Sequence, residues 1–273
     1  MTTPSICVTC GTQYSAVAGV PDRCAVCGDE RQYVGLDGQE WTTLEGLRRG
    51  HRNGFDEVGE GVLSIHTQPK FGIGQRCLLV KSPEGNVLWD CISLLDGETV
   101  ERVWAWGGIA AIAISHPHYY STMAEWSEAF GAPVLIHEAD KEWVMRDVPR
   151  LECWTGETRQ LNSAMTLIRC GGHFEGAQVM HDASRRALFA GDVIQVVPDR
   201  RWVSFMRSYP NYIPLAPAAV RKIVDAVDPF EFDDIYGAWP KFEVRGDAKG
   251  AVRRSAERYL RALRDPEPEV SSC

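Results

Sequence analysis

Residues 107–118 read Gly107-Gly108-Ile109-Ala110-Ala111-Ile112-Ala113-Ile114-Ser115-His116-Pro117-His118. The apolar run is strand-sized and reads as a buried strand that ends at the histidine pair. Two imidazoles one residue apart, just past such a strand, can converge on one cation once the chain leaves the sheet. A third, His173, follows in Cys170-Gly171-Gly172-His173, and a carboxylate, Asp192, follows in Leu188-Phe189-Ala190-Gly191-Asp192. Each stands where a later strand is expected to end, so the four complete a compact nitrogen and oxygen cage. Such a set suits zinc with an open coordination position, and ferrous iron almost as well.

The order strand, His-x-His, Gly-Gly-His, Gly-Asp resembles the metallo-β-lactamase superfamily. Its hallmark is His-x-His-x-Asp-His, followed by a lone His, an Asp and a final His. The resemblance runs over residues 61–239. It implies an α/β chain folded as a four-layer αβ/βα sandwich and acting as a metal-dependent hydrolase. Asp90, in Val87-Leu88-Trp89-Asp90, sits where the superfamily has an early Asp. The departures matter as much. The superfamily's next Asp falls at Tyr120 and its next His at Ser121. The late loop Ile235-Tyr236-Gly237-Ala238-Trp239 contains no His, and none occurs after His181. The ligands of a second metal are missing, so the site reads as mononuclear.

One zinc on His116, His118 and His173 would lower the pKa of bound water from 15.7 to about 7. Asp192 would bind the metal or hold and deprotonate that water. The expected reaction is attack on a small-molecule substrate: an ester, thioester, lactone or phosphoester. In the iron alternative, one of His116 or His118 joins His173 and Asp192 in a mononuclear non-haem oxygenase acting on a sulfur compound, similar to the superfamily's persulfide dioxygenases. A third reading is a non-catalytic scaffold. Tyr120, beside Tyr119, either supplies a catalytic phenol to substrate or water, or fills the vacated second site. Asp90 either anchors the His-x-His loop or caps a turn. His137, ending Val134-Leu135-Ile136, belongs behind the ligands or in the core. Residues 199–215, with Arg201 and Trp202, read either as a substrate wall able to meet an anion or as a segment packed on the sheet or on a second subunit of a homo-oligomer.

Upstream, Cys7-Val8-Thr9-Cys10-Gly11 and Cys24-Ala25-Val26-Cys27-Gly28 are two knuckles with 13 residues between them. Each turns so that both thiolates face one ion, the Gly permitting a positive φ, and four thiolates make a closed structural zinc site. The pair resembles a zinc ribbon or rubredoxin-like module over residues 1–35, folded by its metal and able to bind a protein partner. Residues 36–60, polar and Gly-rich, read as a linker, with the main domain at 61–265 and a tail at 266–273. Strands are expected at Val62-Leu63-Ser64-Ile65 and Arg76-Cys77-Leu78-Leu79-Val80. Helices are expected over 121–130, 138–145, 217–227 and 248–264.

A chain of 273 residues carrying a net charge of −8 can bury a full core and argues against a nucleic-acid partner, which needs a basic face. The start of the sequence lacks a basic region followed by an apolar core, so no secretory signal is expected. No apolar stretch is long enough for a membrane span. Nine cysteines and no export signal point to a reduced cytoplasm.

Overall fold

The computed structural model of the chain describes residues 3–16 and 19–264; the expected 266–273 tail lies outside them. Two sheets pack face to face. The first has seven strands, in spatial order Leu151–Trp154, Val134–His137, Ala111–Ala113, Val87–Trp89, Arg76–Val80, Val62–Gln68 and Arg52–Gly59. The second has six: Thr158–Gln160, Met165–Arg169, Gln178–Asp182, Ala187–Gly191, Asp234–Gly237 and Glu243–Val244.

Period-two alternation divides the side chains of the central strands between two cores. Leu78 and Val80 face inward with Trp89 and Ala113, meeting Leu167, Met180 and Phe189 of the second sheet. Their neighbours Cys77 and Leu79 face outward, under Val103 of helix Gly97–Ala105 and Trp126 of helix Met123–Phe130. The outer face of the second sheet, through Ile168, Val179 and Leu188, takes Val220 and Ile223 of helix Pro217–Val227 and Val252 of helix Ala248–Ala262. The result is the expected four-layer sandwich, helices outside and sheets within. Among the described residues no helix is long and apolar enough to cross a membrane.

The expected strands and three of the four expected helices form within a few residues of their expected ends. The exception is 138–145, where only a 3₁₀ segment, Glu138–Trp143, appears. A larger difference concerns residues 36–60. They are not a linker. Helix Leu44–Gly50 is capped by Thr43, whose side chain accepts from Gly46 N, and strand Arg52–Gly59 closes the edge of the seven-stranded sheet against Val62–Gln68. Asp56, Glu57 and Arg52 give this stretch the look of a loop; charge of that kind is what protects an exposed sheet edge. The small N-terminal sheet also runs past residue 35, since its third strand is Trp41–Thr42.

Arg76, fully buried, joins the two sheets. Its Nε and Nη2 donate to the Gly237 carbonyl at 3.0 and 2.9 Å, and Nη1 meets Glu243 Oε1 at 2.6 Å. Removing one partner of a buried pair strands the other. Arg76→Met is therefore expected to lower stability by about 3 kcal/mol in urea denaturation; a loss under about 1 kcal/mol would show that the pair contributes little.

Candidate metal centre

The four donors sit where strands end on one rim of the sandwich. Strand Ala111–Ala113 delivers Ser115 and His116, and a 3₁₀ turn, Pro117–Tyr119, brings His118 back to the same side. Asp192 follows strand Ala187–Gly191, and His173 lies in the loop between Met165–Arg169 and Gln178–Asp182. Two glycines make this approach feasible. Gly191 has φ 52°, and a Cβ there would stand 2.5 Å from Ser115 Oγ; Gly172 has φ 83°, and its Cβ would stand 2.8 Å from Ile223 Cδ1.

One ligand atom from each of His116, His118, His173 and Asp192 lies within 4.8 Å of the others, and all four residues are buried. His173 Nε2 and His118 Nδ1 are 3.3 Å apart, and His116 Nε2 is 3.4 Å from Asp192 Oδ2. Burial, reinforced by the His116 imidazole, holds His118 well below the usual histidine range and His173 at about 3, so both are neutral at pH 7. His173 Nδ1 donates to the Met206 carbonyl at 3.1 Å, leaving Nε2 as the unprotonated nitrogen that faces His118 Nδ1. His116 Nε2, His118 Nε2 and Asp192 Oδ1 are buried with no hydrogen-bond partner among the described residues. Each such atom costs about 1–3 kcal/mol, and a cation on the imidazoles, with bound water beside Asp192 Oδ1, would supply partners at this point. The donor set thus fits a metal ion.

Asp90 stands behind the four donors, with backbone φ 66° and its Oδ1 accepting from Ser115 N at 2.7 Å. Ser115 Oγ in turn lies 2.8 Å from His116 Nδ1. Burial pushes the Asp90 carboxyl far up, against the pull of the Ser115 bonds. Tyr119, also buried, donates to the Ala238 carbonyl and stands edge-on to His116.

The other candidate residues lie outside the four-donor cluster. Tyr120 does not reach the centre: its hydroxyl donates to the Asp140 carbonyl and its ring is in the outer core. The 3₁₀ turn at 117–119 rotates it away. His137 caps the Glu138–Trp143 segment through Nδ1 and packs against Trp154. Arg201 is exposed and pairs with Asp199, while Trp202 lies under Arg258 at 3.7 Å, so both pack outside the cleft. From that segment it is Tyr209 that arrives, donating to the Asp192 carbonyl at 3.0 Å.

Sequence reading gives no signal for three contributors. Gln75 Nε2 donates to Asp192 Oδ2 at 3.0 Å. Asp140 Oδ1 accepts from Gly176 N at 2.7 Å, pinning the loop that carries His173. Arg31, from the N-terminal module, donates through Nε to the His173 carbonyl at 2.7 Å.

A cleft of about 280 Å³ opens over His118, His173 and Asp192; its walls include Arg31, Tyr33, Lys70, Gln195, Tyr209 and Trp239. The four thiols of Cys7, Cys10, Cys24 and Cys27 form a second cluster, with Cys7–Cys27 and Cys10–Cys24 sulfur pairs at 3.6 Å. A tetrahedron with metal–sulfur bonds of ~2.3 Å has edges near ~3.8 Å, so this cluster fits a structural ion. Gly11 supplies the positive φ of the first knuckle, at 84°; Gly28 instead ends a short helical turn, Ala25–Gly28.

No family model matches the chain. The Bacillus subtilis protein YmaE, itself uncharacterized, is 47% identical over 264 residues, covering 94% of this chain and 96% of that protein. Solved structures share the fold at low identity. The metallo-β-lactamase FIM-1 from Pseudomonas aeruginosa, in its mono-zinc form, matches with TM-score 0.58 and 13% identity over 76% of this chain and 96% of its own. The metallo-β-lactamase from Hirschia baltica matches with TM-score 0.55 and 18% identity over 76% and 97%. VMB-1 gives TM-score 0.60 and 12% identity over 78% and 99%.

Burial raises the Asp140 carboxyl to about 7, against the Gly176 N–H that lowers it. The folded chain holds this proton more tightly than the unfolded one, so the stability Asp140 contributes is fullest below pH ~4 and falls as pH rises toward ~7. Asp140→Asn keeps an acceptor for Gly176 and should flatten that slope in denaturation series between pH ~4 and ~7; an unchanged slope would place its origin elsewhere.

Proposed function

Because this chain belongs to the family of YmaE and carries the metallo-β-lactamase fold, we propose that it is a metal-dependent hydrolase with a mononuclear centre, acting on a small ester, thioester, lactone or phosphoester. The observation that carries this reading is the convergence of four buried donors, three of them with unpartnered atoms, on the floor of an open cleft. Three imidazoles and a carboxylate favour zinc over the two-histidine, one-carboxylate face that suits iron. A single ion is supported by what replaces a second set of ligands: Tyr120 and Ser121 spend their hydroxyls on backbone carbonyls, and the late loop 235–239 contains no His.

When bound, zinc supplies a nucleophile from water near neutral pH and polarises the oxygen under attack. The chain's own residues do the rest. His173 is held in one tautomer by Met206, and His116 is oriented by the chain from Asp90 through Ser115. Gln75 holds Oδ2 of Asp192, leaving Oδ1 to accept the proton lost by the attacking water. The cleft size suits a small substrate, with the reacting bond over the histidines and the rest against Tyr33, Ile73 and Trp239.

Full-length protein prepared with zinc is expected to hold two equivalents, one in each cluster, and to hydrolyse members of an ester, thioester, lactone and phosphoester panel. His116→Ala should lose one equivalent. Asp192→Asn should reduce turnover about 10²–10⁴-fold. Zinc-loaded protein no faster than His116→Ala on every substrate would leave the scaffold reading instead.

A further inference from the structure

We infer that the N-terminal four-cysteine module is a working wall of the cleft and that Arg31 is a positioning residue for His173. The inference rests on the metal-centre reading above and extends it to residues outside the sandwich.

Three hydrogen bonds close a circuit through the two units. Arg31 Nε donates to the His173 carbonyl at 2.7 Å, His173 Nδ1 donates to the Met206 carbonyl at 3.1 Å, and Ser208 Oγ donates back to the Arg31 carbonyl at 3.0 Å. Asn211 fastens the same stretch, its Nδ2 reaching the Glu30 and Gln32 carbonyls at 3.0 and 2.9 Å, and Arg207 pairs with Glu30. Both ends of the His173 residue, ring and backbone, are therefore held by partners that are themselves tied together.

The Arg31 guanidinium also lies 4.3 Å over the ring of Phe174. That ring touches all three imidazoles, at centroid distances of 5.8 Å to His116, 5.1 Å to His118 and 5.2 Å to His173. Arg31 thus backs an aromatic side chain shared by the whole histidine set. Asp29 Oδ1 holds its Nη1 at 2.7 Å, so the arginine is steered from two residues beyond Cys27. The first knuckle docks as well: Ser93 Oγ donates to the Gly11 carbonyl at 3.1 Å, and Gln13 Nε2 reaches Glu125 at 2.8 Å. With the four thiols ordering both knuckles, the module presents Thr9, Arg31, Gln32 and Tyr33 to the cleft. An ion held by the four thiolates thereby supports the geometry of a different metal centre through Arg31.

Full-length protein loaded with cobalt reads the two centres apart. Thiolate-to-metal absorption reports the four-cysteine cluster, and chelator competition reports affinity at the histidine cluster. Arg31→Met is expected to weaken the histidine centre about tenfold, within the range for supporting residues, while the thiolate band stays unchanged. Arg31→Lys should recover part of the loss, since an ammonium can still donate to the carbonyl. The Ser208→Ala, Asn211→Ala double variant opens the circuit while leaving the Arg31 side chain in place and should shift affinity the same way, which keeps the test decisive if Arg31→Met fails to fold. Affinity within about twofold of wild type in the folded variants would overturn the inference alone. A wild-type protein that binds no metal outside the thiols would overturn both it and the hydrolase reading.

Discussion

Three imidazoles and a carboxylate are removed from water at a single point on the rim of the sandwich, and much of the neighbouring structure serves that burial. Neutral imidazole tolerates a low-dielectric setting, and burial keeps His118 and His173 in that form. Asp192 accepts from Gln75 on one oxygen, and His116 Nε2 stands 3.4 Å from the same atom. Two positive-φ glycines, Gly172 and Gly191, let the His173 loop and the Asp192 strand end come close enough to share the point. The strands themselves need no such help, since their alternating faces fill cores on both sides.

The four-donor cluster is legible because it is written at strand ends. A buried strand reads as a short apolar run, and whatever follows it emerges at the rim, so His116, His118 and Asp192 can be placed from local sequence alone. Gly171-Gly172 marks the turn before His173 in the same way. Tyr120 shows the limit of that logic: it stands at a position equivalent to a ligand in the resemblance, yet a 3₁₀ turn of three residues, Pro117–Tyr119, sends its side chain into the outer core. Residues 199–215 show another limit. Their arginines and aromatics are visible in sequence, but which of them reach the cleft depends on hairpin pairing such as Met206–Ser208 with Ile213–Pro214, and Trp202 goes to the C-terminal helix.

The contributions of Arg31, Gln75 and Asp140 have no local signature, because each acts across a long separation in sequence. Gln75 lies 117 residues from Asp192, and Arg31 142 residues from His173. Strand Arg52–Gly59 escapes sequence reading for a related reason. An edge strand is half solvent-facing, and its charges resemble those of a loop until a partner such as Val62–Gln68 supplies the hydrogen bonds. Core and ligand positions are encoded locally, whereas the wall of the cleft is encoded by docking.

Two clusters of different chemistry stand in one chain, one of four thiols and one of three imidazoles and a carboxylate. Zinc-edge X-ray absorption on the full-length protein tests most directly whether both bind metal. The expected spectrum shows a mixed coordination sphere, sulfur at ~2.3 Å together with nitrogen and oxygen at ~2.0–2.1 Å, with the lighter scatterers lost in His173→Ala. A sulfur-only sphere in wild-type protein supplied with excess zinc would contradict metal binding at the second cluster.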